Sequence, residues 1–399
     1  MKLKKKLLNR RWTALAGLCL AAPLVQAQTP TLADQLPRNV ETGDTLQFRV
    51  GAGIERDSNV LRTPSKVSDE VGTLSAGARL DKQYSLQRIT LDVEAATYKH
   101  RDLDSLDYTT LNYLAAWNFA FTPRLQGVLS ADRRQYRDIT NTSPGFNDVN
   151  RRTGRNEQAE ATWAATGGWR AQGALTHTSS ESDDPRSLES SPDINSVRVG
   201  AGYEYPSGTT IIGQVRRGDG EYDRAGIDFK ETEPGVVVRW PITAKTRLNT
   251  KIGRLKREHD NAPERDFSGT VGTFDVVWEY SPKTRVTVGY ARDLGSYEFA
   301  GGGHISGKRF YVAPVWRPTA KTAVILRYQR ETRDWEDVAG GAPDAGRSDR
   351  TTYTGATFEW EPRRNLVLST GLRGEKRDSS LPNNDFTATI VSLGAKFTF

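Results

Sequence analysis

The chain has 399 residues, of which 26% are charged, and its mean hydropathy is −0.62. After residue 27, no stretch approaches the length of a membrane-spanning apolar helix, so a helical membrane protein is excluded. A transmembrane β-barrel is not excluded, because only every second residue of its strands must be apolar. The net charge of +7 includes six positive residues near the N-terminus; without them the chain is close to neutral, which argues against a nucleic-acid partner.

Residues 1–27 have the pattern of a secretory signal peptide. Positive charges between Lys2 and Arg11 precede an apolar core from Trp12 to Leu24, and small residues follow at the cleavage position. The only cysteine, Cys19, lies in this core, so disulfides and thiolate chemistry are not expected after export. We expect residues 28–43 to form a short periplasmic segment and residues 44–399 to form an outer-membrane barrel.

A bulky aromatic residue, usually followed by proline and a short polar turn, recurs along the chain at spacings of about forty residues. Aromatic rings suit the membrane interface, where one side of the ring meets lipid and the other meets water. We therefore predict that these rings, with the C-terminal phenylalanine, mark a membrane boundary. They are Phe121, Trp163, Tyr205, Trp240, Tyr280, Trp316, Trp360 and Phe399.

Apolar and polar residues alternate with period 2 between these corners, as they do in strands with one apolar face. Longer polar loops follow odd-numbered segments, and tight turns follow even-numbered ones. The pattern predicts strands at 44–56, 70–84, 87–100, 108–122, 124–138, 152–166, 169–180, 194–205, 209–219, 229–241, 246–258, 268–280, 284–296, 306–317, 321–334, 349–361, 365–377 and 386–399.

The predicted fold class is all-β: a transmembrane antiparallel β-barrel of about 18 strands, with short periplasmic turns and both termini in the periplasm. The last strand is amphipathic and ends in Phe399, which resembles the signal that the barrel assembly machinery recognises. The main alternative is a secreted β-propeller. Its repeats would hold four short strands, whereas each repeat here holds two strands long enough to cross a bilayer.

The polar face of these strands would line the lumen, which is too wide at this strand number to be filled by side chains. Arginine is in excess among the expected lining residues, which would attract anions; the alternative is that the charges only keep the lumen wet and cross-link strands. Most aromatic residues fall on the other face, with Tyr311 and Tyr353 among the few on the lumen side. The predicted pore-lining cations are Arg49, Arg79, Arg88, Arg134, Arg170, Arg198, Arg216, Arg239, Arg247, Lys251, Arg327 and Arg373.

No catalytic, cofactor or metal site is predicted, and we expect the protein not to be an enzyme. The acidic loop from Glu181 to Asp184 has ligands that suit Ca²⁺, but a solvated loop is the favoured interpretation. Gly301 to Gly303 does not lie between a strand and a helix, so it is not a phosphate loop. The four histidines are expected to be solvated residues of loops or strand ends: His100, His177, His259 and His304.

The first strand and its loop contain the run Arg56-Asp57-Ser58-Asn59-Val60-Leu61-Arg62. Together with residues 46–55, this run resembles the opening of the EpsL-type outer-membrane proteins of exopolysaccharide loci, which belong to a wider group of β-barrel porins. Elsewhere the resemblance covers the chain only in its architecture. It implies a role in exporting or assembling an extracellular polysaccharide.

The leading expectation is thus an outer-membrane pore that takes part in export or assembly of an extracellular polysaccharide. A general or nutrient-uptake porin and a plugged structural or adhesin-like barrel are the alternatives. The expected location is the bacterial cell outer membrane. The expected partners are outer-membrane lipid, lipopolysaccharide, the barrel assembly machinery and polysaccharide-export components, with no nucleic acid and no cofactor.

Overall fold

The protein is described by a computed structural model that covers residues 46–137, 150–183, 192–222, 226–296, 302–342 and 344–399. The predicted signal peptide and the segment at 28–43 lie outside these residues. The strands are β1 (Leu46–Asp57), β2 (Asp69–Tyr84), β3 (Gln87–His100), β4 (Tyr108–Ala120), β5 (Leu125–Arg137), β6 (Arg151–Ala164), β7 (Trp169–Ser182), β8 (Pro192–Glu204), β9 (Thr210–Tyr222), β10 (Ile227–Thr243), β11 (Thr246–His259), β12 (Phe267–Ser281), β13 (Thr284–Ser296), β14 (His304–Thr319), β15 (Thr322–Glu336), β16 (Ser348–Arg363), β17 (Leu366–Ser379) and β18 (Phe386–Thr398). Short 3₁₀ helices lie at Asp104–Leu106, Thr166–Gly168 and Pro263–Arg265.

The described strands form one antiparallel sheet of 18 strands that closes on itself. Every strand pairs with its neighbours in sequence, and β1 pairs with β18 as well as with β2. This closure confirms the predicted all-β barrel and its strand number. Among the described residues, no helix is long and apolar enough to cross a membrane.

The strand bounds follow the alternation closely, and β3 and β13 begin and end where it predicts. The largest differences lie at the β9–β10 hairpin, where pairing continues to Tyr222 and resumes at Ile227. Here the ring of Phe229 occupies the place that a Cβ on Gly220 would take, at 2.2 Å. The missing side chain of this glycine lets the ladder extend beyond the apolar pattern.

Several prolines of the repeated corner lie in strand ends and not in the turns. Pro241, Pro318 and Pro362 fall inside β10, β14 and β16, and the turns are the two residues 244–245, 320–321 and 364–365. The register shifts beside each of them, for example between Trp360 and Arg363. Proline has no N–H to give to the ladder, so it fits where a bulge interrupts pairing.

One face of the sheet is apolar and exposed, as β1 and β18 illustrate. Phe48 and Ile54 on β1 are 44% and 51% exposed, and Val391 and Leu393 on β18 are 50% and 58% exposed. A soluble protein rarely leaves an apolar surface of this extent in contact with water. The band is the outer surface that meets lipid, and the opposite face is the inner wall.

Candidate functional site: the inner wall of the barrel

The strand register places all the predicted pore-lining cations on the inner wall. Starting from Arg49 opposite Gly77, the face can be followed from strand to strand around the barrel. These residues are Arg49, Arg79, Arg88, Arg134, Arg170, Arg198, Arg216, Arg239, Arg247, Lys251, Arg327 and Arg373.

Some contacts on the inner wall join strands that are not neighbours, which is possible where side chains converge on the concave side of a sheet, and three of them pass over a small residue. Arg49 Nε donates to Glu94 Oε2 at 2.9 Å across Gly77, and Arg198 pairs with Glu160 across Ala174. The hydroxyl of Tyr311 donates to Asp275 Oδ1 at 2.6 Å across Gly289. In each case the middle strand carries glycine or alanine in register, so no side chain blocks the contact.

A cluster of paired charges lies on the inner wall at β9, β10 and β11. Glu231 accepts hydrogen bonds from the guanidinium of Arg257 and lies 2.7 Å from Nη1 of Arg216. Glu233 lies 3.0 Å from Nε of Arg216 and 2.7 Å from Nζ of Lys251. The two carboxylates are buried, and each is shared between two cations.

These carboxylates correct the predicted arginine excess. Inner-wall acids that the predicted pore lining left out, such as Glu231, Glu233, Glu331 and Asp349, lie beside the arginines. Most inner-wall arginines therefore have a carboxylate within 4.0 Å, which agrees with the alternative that the charges cross-link strands. The sequence could not show this, because pairing depends on the register between strands.

Part of the inner wall remains open to water. The side chains of Arg79, Arg88, Arg134 and Arg247 are 40%, 52%, 48% and 46% exposed although they point to the inside of a closed barrel. A solvated guanidinium needs space and water around it. The inside of the barrel at these residues is therefore accessible to water.

The loop after β1 folds against the inner wall and forms a contact that we call the seam latch: Asp57, Asn59, Arg62, Glu375 and Thr387. Arg62 is 4% exposed and donates at 2.7 Å to both Asp57 Oδ2 and Glu375 Oε2. Asn59 donates to the carbonyl of Thr387 at 3.1 Å. Burial opposes the positive charge of Arg62, but the two carboxylates outweigh it and raise the pKa of the guanidinium. The latch ties the first loop to the last two strands.

The prediction of solvated histidines is wrong for three of the four. His100, His259 and His304 are 6%, 8% and 6% exposed. The ring of His259 lies between those of Phe229 and Phe267, with centroids 5.7 and 6.5 Å away, and His304 stacks on Phe267 at 4.8 Å. Aromatic residues from separate strands bury the imidazoles of His259 and His304, and that proximity is not visible in sequence.

His177, the fourth histidine, points outward and lies 3.0 Å from the side-chain oxygen of Asn195. In the acidic loop, Glu181 lies 3.2 Å from Arg155, and Asp183 lies 2.8 Å from Arg151. Asp184 and Gly301 lie outside the described residues. Within the described ranges, no group of three or more His, Cys, Asp or Glu side chains could hold a metal ion.

More aromatic residues lie on the inner wall than the sequence indicates. Tyr98 stacks on Tyr108 with centroids 4.4 Å apart, and Tyr222 lies 5.2 Å from Phe229. All four belong to the ends of strands beside the longer loops. At these strand ends the alternation of apolar and polar residues does not identify the two faces, because the aromatic side chains lie on the inner, otherwise polar face.

The rings predicted to lie at the membrane interface are exposed by 46% to 64% at the ends of their strands beside the short turns. They are Phe121, Trp163, Tyr205, Trp240, Tyr280, Trp316, Trp360 and Phe399. Several contact a second ring, as Phe399 does with Phe48 at 5.8 Å. Together they form an aromatic rim around one end of the outer surface, as at the interfaces of outer-membrane barrels.

A protein-family model described as "Putative beta-barrel porin 2" matches residues 205–399, which include β9 to β18. A search of curated proteins found no significant match. Among solved structures, OpdK of Pseudomonas aeruginosa with vanillate is 9% identical over 89% of this chain and 99% of its own, at a TM-score of 0.48. A BenF-like porin from Pseudomonas fluorescens Pf-5 is 11% identical over the same shares, also at 0.48, and OccAB3 of Acinetobacter baumannii is 10% identical over 89% and 98%, at 0.46.

These structural similarities are too weak to transfer any property. The family match agrees with the closed sheet, the lipid-facing apolar surface and the aromatic rim. The chain is a closed 18-stranded β-barrel of the bacterial outer membrane, and its residues 205–399 resemble a family of β-barrel porins.

Proposed function

We propose that the barrel is a passive diffusion pore for small hydrophilic solutes. The observation that carries this proposal is the exposure of inward-pointing side chains, since Arg88 and Arg134 are about half exposed inside a closed sheet. Side chains that filled the lumen would bury one another. A water-filled interior lets polar solutes pass without losing their hydration.

The paired charges of the wall support a pore of broad selectivity. Arg170 pairs with Glu204, and Arg285 lies 2.6 Å from Glu279, so cation and anion alternate along the wall. Paired charges produce a weaker long-range field than charges of one sign. We expect moderate discrimination between small cations and anions.

Reconstitution in planar bilayers tests this proposal. Purified protein that shows the gel-mobility shift of a folded barrel on heating is expected to give stepwise, ohmic conductance, and liposomes that contain it are expected to swell in small sugars. Folded protein that gives no conductance steps and no swelling would overturn the proposal and would support the plugged structural or adhesin-like barrel.

Polysaccharide export is the second candidate, and its support is the resemblance at residues 46–62. In the structure, Asp57, Asn59 and Arg62 of that run make the seam latch, so the run has a structural use whatever the cargo is. For this reason we rank export below diffusion. Deletion of the gene separates the two: normal surface polysaccharide with impaired uptake of small solutes favours the diffusion pore, and the reverse result favours export.

A further inference from the structure

The ladder between β4 and β5 ends before the two strands do. Backbone pairing stops at Tyr113–Arg133, yet β4 continues to Tyr108 and β5 to Arg137, and within the described chain no backbone pair joins these two ends. On their other sides both strands remain paired to the same ends, β4 with β3 and β5 with β6. We call the unpaired ends the β4–β5 seam: residues 108–112 and 134–137.

Hydrogen bonds from side chains take the place of the missing backbone pairs. The side-chain oxygen of Gln135 accepts the N–H of Leu111 at 2.9 Å, and Asn112 Oδ1 accepts the N–H of Gln135 at 2.7 Å. The guanidinium of Arg133 donates to the carbonyl of Leu111 at 3.1 Å. Backbone groups at membrane depth must be satisfied, and here side chains satisfy them.

The β12–β13 ladder also stops early, at Gly272–Arg292, but apolar packing fills the space above it. A methyl carbon of Leu294 lies 3.0 Å from the place that a Cβ on Gly269 would take. The β4–β5 seam differs because polar side chains close it. Rotation of one such side chain exchanges its hydrogen bond for one to water, whereas a backbone pair opens only when both strands move.

The seam lies near the outer boundary of the apolar band. Tyr113 stands about 20 Å above Phe121 of the aromatic rim, at about 3.3 Å per residue and a strand tilt of about 40°. The apolar band of an outer-membrane barrel is about 25 Å tall. Further along the seam, Arg151 of β6 donates to the carbonyl of Thr109 at 3.1 Å. With the short turns on the periplasmic side, the seam faces the outer leaflet.

Apolar side chains flank the seam on both faces of the sheet. On the inner wall, the rings of Tyr98 and Tyr108 stack with centroids 4.4 Å apart, and Tyr136 of β5 is buried. On the outer face, Leu111 is exposed where lipid surrounds the barrel. A path through the seam therefore leads from an aromatic patch of the inner wall to the acyl chains of the membrane.

We propose that the β4–β5 seam is a lateral gate through which small apolar solutes pass from the lumen into the outer leaflet. Rotation of the Gln135, Asn112 and Arg133 side chains opens the seam, and the ladder from Tyr113 to the short turn holds the barrel closed. Stacked tyrosines suit apolar and aromatic solutes on the inner side. The gate goes beyond the proposed diffusion pore, which carries polar solutes along the barrel axis.

Hydrogen–deuterium exchange of single amides tests whether the seam opens. In folded protein in detergent, the amide of Leu111 is expected to exchange at least about ten-fold faster than that of Leu129, which lies in the intact part of the same ladder. Gln135→Ala should raise the Leu111 rate by a further factor of about five, as loss of one hydrogen bond does. Arg133→Gln removes a different bridge and serves as the second variant if Gln135→Ala does not fold. Equal rates for Leu111 and Leu129, or an unchanged Leu111 rate in the variants, would overturn the gate.

A covalent clamp tests passage through the seam. The chain has no cysteine after residue 27, so Leu111→Cys with Gln135→Cys places a unique pair across the seam, which a short, reducible bis-thiosulfonate reagent joins. The apolar dye phenylnaphthylamine crosses a lipopolysaccharide-covered outer membrane slowly and fluoresces when it reaches lipid. In cells that carry the reduced pair, dye uptake is expected to exceed that of cells without the protein, and joining the pair should remove the excess.

The matched control is Leu129→Cys with Ala159→Cys, a pair in register on the outer face of the continuous β5–β6 ladder. Joining this pair should leave dye uptake unchanged. Equal dye uptake by the joined and reduced forms of the seam pair would overturn the gate.

A polar solute separates failure of the gate from failure of the pore. Hydrolysis of nitrocefin by a periplasmic β-lactamase reports diffusion along the barrel axis, and joining the seam pair should not change it. Clamp-dependent dye uptake without nitrocefin permeation would keep the gate and reject the diffusion pore. Nitrocefin permeation without clamp-dependent dye uptake would reject the gate and keep the pore.

Discussion

Replacing Arg62 by methionine is expected to destabilise the folded barrel by about 3 kcal/mol or more. The guanidinium is 4% exposed and bonds to Asp57 and Glu375, whose side chains are 5% and 6% exposed, so water does not screen either ion pair. The loss of one member of a buried ion group usually costs about 3–5 kcal/mol. We expect the lower end of this range, because each carboxylate would still have one partner after the substitution. Asp57 accepts a hydrogen bond from the backbone N–H of Asn59 at 2.8 Å, and Glu375 lies 3.0 Å from Arg373.

Urea unfolding in detergent micelles, followed by tryptophan fluorescence and by gel mobility, measures the change. Arg56→Met is the control from the same loop motif, because Arg56 is 75% exposed and lies 3.8 Å from Glu70; its loss should cost less than about 1 kcal/mol. Combining Arg62→Met with Glu375→Gln should give less than the sum of the two single effects, with a coupling energy of about 1–3 kcal/mol. A free energy of unfolding for Arg62→Met within about 0.5 kcal/mol of the native value would refute this account of the seam latch.

Two further changes test the electrostatics elsewhere. Glu231→Gln should lower the free energy of unfolding by about 3–5 kcal/mol, because it leaves Arg216 and Arg257 competing for the remaining acceptors in a buried site; a change below about 1 kcal/mol would mean that water reaches the cluster. In the loop after β3, hydrogen bonds from Lys99 and from a neighbouring backbone N–H lower the pKa of Asp107. The stabilisation that the Asp107 carboxylate contributes is therefore fully present above the pKa of the unfolded chain, about 4, and is lost as pH falls through the lower pKa of the folded protein. Melting curves between pH 6 and pH 2.5 should therefore show a smaller acid-induced decrease for Asp107→Asn than for the native protein, and equal decreases would contradict the assignment.

The fold was predictable from sequence because a lipid-facing strand repeats one requirement at every second residue. Alternation such as that of Phe274, Val276 and Trp278 reports directly which face meets the bilayer, and the register confirms it. The predicted positions of the turns were less accurate beside Pro241 and Pro362, because a bulge before each turn adds a residue that the alternation does not show.

The inner wall was predictable in position but not in its partners. The alternation in sequence can place Glu375 on the inner wall, but it does not show that Arg62 contacts it. The two residues are 313 residues apart, and their contact depends on closure between β1 and β18. The same holds for Arg198 and Glu160, which meet only because β7 carries alanine between them. Side-chain pairs of this kind require the register of two or three strands at once.

The contacts that pass over a glycine or alanine also have a mechanical consequence. Two strands separated by a third lie about 9–10 Å apart along the sheet, and a side-chain pair such as Arg49–Glu94 or Tyr311–Asp275 spans that arc as a chord. A chord of fixed length sets the curvature of the three strands beneath it. Where the inner wall is open to water, as at Arg88 and Arg134, such chords resist flattening of the cross-section, and the outline of the lumen should be stiffest at β1–β3, β6–β8 and β12–β14.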